Sequence, residues 1–237
     1  MTDTPEGVCS PHRPGEPATS ASRVAATSPA TSTTEPARGS EHCALEPTAR
    51  EVLDVWFGEP GSMRFGQYWG RWFARDDEFD AMLRARFGAT VAAAHRGDCD
   101  GWQRSPLGAL ALIVVLDQFS RNIYRGTGLA FAGDSRALAA ANRMVDAGTD
   151  RSLPSPQHRA FVYMPFEHDE SRDSQERAVR LFEALERETG LRGYVRDARR
   201  HAVIIARFGR FPHRNDMLGR TSTDAERAFL LEPGSSF

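Results

Sequence analysis

Three short stretches hold most of the residues able to do chemistry. The first is Arg207-Phe208-Gly209-Arg210-Phe211-Pro212-His213-Arg214-Asn215. Gly209 and Pro212 interrupt a helix, so this is a turn, and its phenylalanines argue that the turn folds inward. The second stretch is Asp117-Gln118-Phe119-Ser120-Arg121-Asn122 and the third is Glu167-His168-Asp169-Glu170. Guanidinium forks bind carboxylates and phosphates through two parallel hydrogen bonds. Arg121, Arg210 and Arg214 are therefore the expected anion-holding groups, with Arg207 beside them. His213 is the first acid–base candidate, and nearby arginines should favour its neutral imidazole. His168 is the second, with Glu167 or Asp117 as its orienting carboxylate. Asp117, Gln118, Asn122 and Asn215 complete the set as positioning groups.

Other chemistries are excluded by residue type. All 30 basic residues are arginine, which removes a Schiff-base lysine and a phosphate-loop lysine. There is no G-x-S-x-G and no Gly-rich phosphate loop following a strand. Metal binding needs three or four ligands at facing spacings. No H-E-x-x-H is present, and E-x-x-H is not duplicated as a di-iron bundle requires, so no metal and no cofactor is expected.

The elements that must position these stretches are helices. Thr48-Ala49-Arg50-Glu51 reads as a capping box with Thr48 as N-cap, opening a helix that Gly58 stops. Asp76 or Asp77 caps a long helix to about Arg96, closed by Gly97. Ser105-Pro106 opens a third. Its stretch Leu107 to Leu116 is apolar on every side, which marks the central helix of the domain. The abrupt change to Asp117-Gln118 at its end is a sharp signal, with Asp117/Arg121 and Gln118/Asn122 as i,i+4 pairs. Further helices are expected over Asp134 to Asp146, from Ser155-Pro156 to His168 with Pro165 as a kink or break, from Ser171 to Thr189, and from Tyr194 to Phe208. A second capping box, Thr223 to Glu226, opens the last. No stretch alternates with period two for long enough to be a strand. The reading is all-α, about eight helices, with short loops that favour antiparallel neighbours.

Composition bounds the rest. The chain has 237 residues and a formal net charge of −2, which speaks against nucleic-acid binding. No run of about 18 apolar residues exists, so no membrane span is expected. Cys9, Cys43 and Cys99 are scattered, which fits a reducing interior better than a disulfide framework, and the N-terminus lacks the apolar core of a secretory signal. The expected location is cytoplasmic. Residues 1–45 are rich in Ser, Thr, Pro and Ala and contain no aromatic residue. Such a segment cannot offset its chain entropy, and we expect a disordered tail before a single helical domain over 46–237. Seven arginines face two aspartates between Val195 and Arg220, and eight acids face four arginines between Met164 and Gly190. The plain expectation is that these two regions pair across adjacent helices, with Arg196, Arg199 and Arg200 solvated.

Five motifs stand in order: V-L-D-V-W-F-G at 52–58, W-F-A-R-D at 72–76, L-D-Q-F-S-R-N-I-Y-R-G at 116–126, Y-M-P-F-E-H at 163–168 and R-F-G-R-F-P-H-R-N at 207–215. With the ending E-P-G-S-S-F, they resemble a bacterial family, domain of unknown function 924, over roughly residues 50–237. The resemblance implies antiparallel helical hairpins stacked in a tetratricopeptide-like superhelix. It implies no activity, substrate or catalytic residue.

Two functional readings follow. In the first, the polar ends of separate helices converge in one pocket that binds, and could act on, a small anionic molecule. In the second, the domain is a tetratricopeptide-like scaffold for a protein or peptide partner, and the same motifs form a buried polar knot that fixes helix packing.

Overall fold

Helix starts and stops fall where capping chemistry puts them. The structure, a computed structural model, describes residues 41–235. Its α-helices are α1 (Pro47–Phe57), α2 (Asp77–Arg96), α3 (Pro106–Ile113), α4 (Ser120–Ile123), α5 (Asp134–Asp146), α6 (Pro156–His168), α7 (Arg172–Thr189), α8 (Tyr194–Phe208) and α9 (Asp224–Leu230). No strand occurs among the described residues, and the domain is all-α. Pro106 and Pro156 begin their helices, and Ser105 and Ser155 accept from backbone N–H groups one turn on, as N-cap serines do. Gly97, Gly190 and Gly209 close α2, α7 and α8 in the left-handed conformation that favours glycine. The Thr223/Glu226 capping box is present at α9.

Two expectations need correction. Thr48 does not cap α1. Pro47 takes the first helical position, where its missing N–H costs nothing, and the Glu46 carboxylate accepts from the Thr48 and Ala49 amides. Glu51 is left to pair with Arg86 across to α2. Pro165 lies inside α6, which runs to His168 as expected. The helix count also exceeds eight, because the third predicted helix widens through a π-helical turn, Val114–Phe119, before resuming as α4.

Every residue from Leu107 to Ser120 is buried, so the central helix is covered on all sides, as its uniform apolarity requires. Trp56 of α1 is fully buried and meets Trp72, Phe79, Phe119 and Phe161 at ring-centroid distances of 5.6 to 6.1 Å. Along the second half of the chain α5 packs on α6, α6 on α7 and α7 on α8. The connections 169–171 and 190–193 are too short for anything but antiparallel neighbours.

The π turn places the site. It accommodates one residue more per turn than an α-helix, and such turns recur at functional positions. Gly133 presses on it from the start of α5. A Cβ at 133 would sit 2.4 Å from the Leu116 carbonyl oxygen, with ordinary backbone angles, so the clash alone forbids a side chain. Gly133→Ala should lower stability by about 1–3 kcal/mol, the usual range for overpacking, read from the midpoint of urea unfolding. A midpoint equal to wild type would mean that the turn yields freely.

The expected tail lies outside the described residues apart from 41–45. There, His42 is buried and its Nε2 lies 2.9 Å from Asp54 of α1. Cys43 and Cys99 are free thiols. No helix among the described residues is long and apolar enough to cross a membrane.

Candidate functional site

Polar residues from separate helix ends meet around a cavity of about 780 Å³. Gln118, Arg121 and Asn122 come from the π turn and α4, and Glu167 and His168 from the end of α6. His213 and Arg214 come from the turn after α8. The structure thus brings together seven of the eleven sequence-predicted site residues. An eighth, Asp117, is fully buried directly behind them.

Asp117 organises one wall. Its Oδ1 lies 2.7 Å from His168 Nδ1 and 3.0 Å from Arg121 Nη1, and its Oδ2 accepts from Gln118 Nε2 at 2.6 Å. Burial alone would raise the Asp117 pKa, but Arg121, His168 and Gln118 together outweigh it and hold the carboxyl well below its ordinary range. A carboxylate on Nδ1 fixes the imidazole tautomer and leaves Nε2 as the basic nitrogen. Burial first, then Arg121, pushes the His168 pKa below its ordinary value against the pull of Asp117, so the ring is neutral near pH 7.

A second couple stands beside the first. His201 Nδ1 lies 2.9 Å from Glu167 Oε1 and 2.9 Å from the Asp197 carbonyl oxygen one turn back in α8. The His168 and His201 ring centroids are 6.2 Å apart. Adjacent residues at the end of α6 therefore serve different partners, Glu167 holding His201 and His168 held by Asp117. Sequence reasoning passed over His201 because its i,i+3 spacing with Ile204 reads as core. It is indeed buried, and its pairing with Glu167 across two helices has no sequence signature.

The arginines expected to hold an anion divide sharply. Arg121 grips Asp134 with both nitrogens, at 2.8 and 3.0 Å, in addition to Asp117. Arg214 is 5% exposed and lies between Phe131 and Phe211, its guanidinium carbon 4.7 and 4.5 Å from their ring centroids. Among the described residues its side-chain hydrogen bond is a long one, Nη1 to Asp134 Oδ2 at 3.4 Å, onto a carboxylate that Arg121 already occupies, and its buried Nε has no hydrogen-bond partner there. Burial first, then Arg121, lowers the Arg214 pKa to about 10.

Arg207, Arg210 and Asn215 are not at the cavity. Arg207 is exposed on the outer side of α8, over Phe208 and Phe229. Arg210 donates to both oxygens of Glu226 at 2.6 and 2.8 Å and to the Thr221 carbonyl. Asn215 is fully buried, accepting from Arg220 Nε and donating to Ser222. Gly209 ends α8 in the left-handed conformation just after Arg207, and the turn Pro212–Arg214 separates Arg210 from His213 and Arg214. Asn122 does reach the cavity but does not pair with Gln118. Its Nδ2 donates to Asp80 of α2 at 2.7 Å, and Arg125 grips the same carboxylate. The predicted pairing of the acidic and arginine-rich regions occurs at Arg199–Glu183 and Arg220–Glu170, and Arg196 and Arg199 are solvated.

The histidines give the site a pH dependence. Burial first, then Arg214 and His201, lowers the His213 pKa from its ordinary 6.5 to about 4. A depressed histidine means that the unfolded chain takes up the proton first. Stability is therefore full above pH 6.5 and falls between pH 6.5 and 4, and His168 adds in the same direction. The His213 share is on the order of 2–3 kcal/mol. Urea unfolding at pH 7.5, 6, 5 and 4.5 should show this fall, and His213→Gln should flatten it. A stability constant from pH 7.5 to 4.5 would contradict the burial of these rings.

The fold and site define a class first: an all-helical protein whose helix ends enclose a polar cavity with carboxylate–histidine couples. Residues 52–234 match the family described as bacterial protein of unknown function, DUF924, and the chain belongs to that family. A solved structure, that of the protein of unknown function ATU0120 from Agrobacterium tumefaciens, is 36% identical, with a TM-score of 0.68 over 78% of this chain and 97% of that one. A search of curated proteins gives no match. Among the described residues no group of three or more His, Cys, Asp or Glu side chains is arranged to hold a metal ion.

Proposed function

We propose that this protein binds a small anionic molecule in the cavity, with Arg214 as the principal anion contact. The observation that carries this reading is the electrostatic deficit at Arg214. A buried guanidinium is normally paired and fully hydrogen-bonded, because desolvating it alone is costly. Here it has one long contact to a shared carboxylate and an unsatisfied Nε. An incoming carboxylate or phosphate would supply the missing charge and the missing acceptor. The neutral His168, with its Nε2 lone pair opposite the nitrogen held by Asp117, would accept a proton from the bound molecule. Among the described residues no serine, threonine, cysteine or lysine lines the cavity, so the groups it offers to a bound molecule are carboxylates, imidazoles, phenols, amides and guanidiniums.

Thermal unfolding of the wild-type protein against phosphate, sulfate and small carboxylates tests the reading, with uncharged analogues as controls. A fitting anion at a hundred-fold excess over its Kd stabilises by about 2.7 kcal/mol, which is about 5–10 °C for a domain of this size. Melting temperatures that respond to no anion, or equally to charged and uncharged compounds, would overturn it.

A further inference from the structure

The anion reading leaves one side of the cavity unexplained. Tyr68, Trp72 and Phe73 all come from the loop between α1 and α2 and line the cavity with Tyr194 and Phe131. Trp72 is 5% exposed, but Tyr68 and Phe73 are 63% and 53% exposed. The loop therefore packs well and still presents two large rings to solvent at the cavity.

Those rings are held rather than loose. Tyr68 and Phe73 lie nearly parallel, with centroids 6.0 Å apart and an interplanar angle of 22°. Tyr68 also meets Trp72 edge-on at 6.2 Å, and Phe73 meets Phe161 and Tyr194 at 6.4 and 6.2 Å. Buried aromatic residues thus fix the exposed pair in place. An exposed apolar patch rimmed by polar groups marks a binding surface, and a pre-formed one costs less ordering on binding. Size points the same way. A cavity of about 780 Å³ lies in the range that takes a drug-sized molecule, far more than an inorganic anion fills. Tyr68, Trp72, Phe73, Phe131 and Tyr194 give its wall five flat rings, and Arg214, stacked between Phe131 and Phe211, presents a planar cation alongside them.

We propose that the ligand is an aromatic anion: a flat ring system seated on Tyr68, Trp72 and Phe73, carrying a carboxylate or phosphate that reaches Arg214. This rests on the anion reading and adds the chemical class of the ligand's body. The acidic group supplies the charge that Arg214 lacks, and the ring covers the two exposed side chains.

Isothermal titration of the full chain at low salt tests it with four probes: benzoate, cyclohexanecarboxylate, propionate and benzyl alcohol. Benzoate should bind roughly three- to ten-fold more tightly than cyclohexanecarboxylate, the ratio expected when ring pairing adds to area burial, and both should exceed propionate. Phe73→Ala and, separately, Tyr68→Ala should abolish the preference for benzoate over cyclohexanecarboxylate. Both rings are more than half exposed, so either truncation leaves the cluster around Trp56 intact. Equal affinity of the two ring acids for wild type, or a preference unchanged in both variants, would overturn the aromatic assignment and leave the anion reading standing. Benzyl alcohol binding as tightly as benzoate would overturn the anion reading instead, and no binding of any probe would overturn both.

Discussion

Asp117→Ala is expected to destabilise the protein by about 3–5 kcal/mol, the range for removing one member of a buried charge pair. Asp117 is fully buried and satisfies three side chains: His168, Arg121 and Gln118. Arg121 keeps Asp134, which moderates the loss. His168 and Gln118 keep nothing equivalent, because the carboxylate is the partner that fixes the Nδ1 side of the imidazole and also the main acceptor for the amide. Asp117→Asn preserves the volume and removes only the charge, so its cost should be smaller. Urea unfolding of wild type and both variants checks this. An Asp117→Ala change within about 0.5 kcal/mol, the size of a surface substitution, would mean that the carboxylate does not organise this wall.

The two central arginines of the R-F-G-R-F-P-H-R-N turn should respond in opposite ways. Glu226 is 2% exposed and serves both the α9 capping box and Arg210. The hydrogen bonds from Arg210, the largest influence, lower the Glu226 pKa to about 2 despite its burial. Arg210→Gln leaves that carboxylate with Thr223 in place of a guanidinium and should melt well below wild type. At Arg214 two effects nearly cancel. Lowering its pKa from 12.5 to about 10 corresponds to about 3 kcal/mol against the charged form, which glutamine removes. Glutamine also loses the stacking on Phe131 and Phe211, about 0.5–2 kcal/mol for each ring. Arg214→Gln should therefore lie within about 1 kcal/mol of wild type, on either side. Thermal melts in anion-free buffer separate the two. Equal destabilisation by both substitutions would make Arg214 a structural residue of the same kind as Arg210.

The contrast between these arginines shows where sequence reasoning stops. Capping residues, the uniformly apolar run Leu107 to Leu116 and the glycine stops placed nearly every helix, because each is a local effect of a few residues. The expected convergence of 117–122, 167–170 and 207–215 is met in part: 118, 121, 122, 167, 168, 213 and 214 line the cavity, and 169, 170, 207, 210 and 215 do not. The orientation inside the nine-residue turn was not legible. Arg210 lies between Gly209 and Phe211, and Arg214 lies beyond the Pro212 break, yet nothing in the sequence pairs the first with Glu226 or sets the second between Phe131 and Phe211. The π turn was equally hidden, because no residue type marks it. Of the two i,i+4 pairs read there, Asp117 meets Arg121, while Gln118 turns to Asp117 and Asn122 to Asp80. His201 reached the site through Glu167, a contact between helices more than thirty positions apart in the chain.

The most direct test of an anion at Arg214 is the anion-induced rise in melting temperature, compared between wild type and Arg214→Gln across phosphate, sulfate and benzoate. If the cavity holds an anion against Arg214, wild type rises with the fitting anion, and Arg214→Gln, close to wild type in buffer, does not rise. An equal rise in both proteins, or a wild type indifferent to every anion beside an Arg214→Gln that melts far lower, would contradict it and leave Arg214 as part of a structural knot.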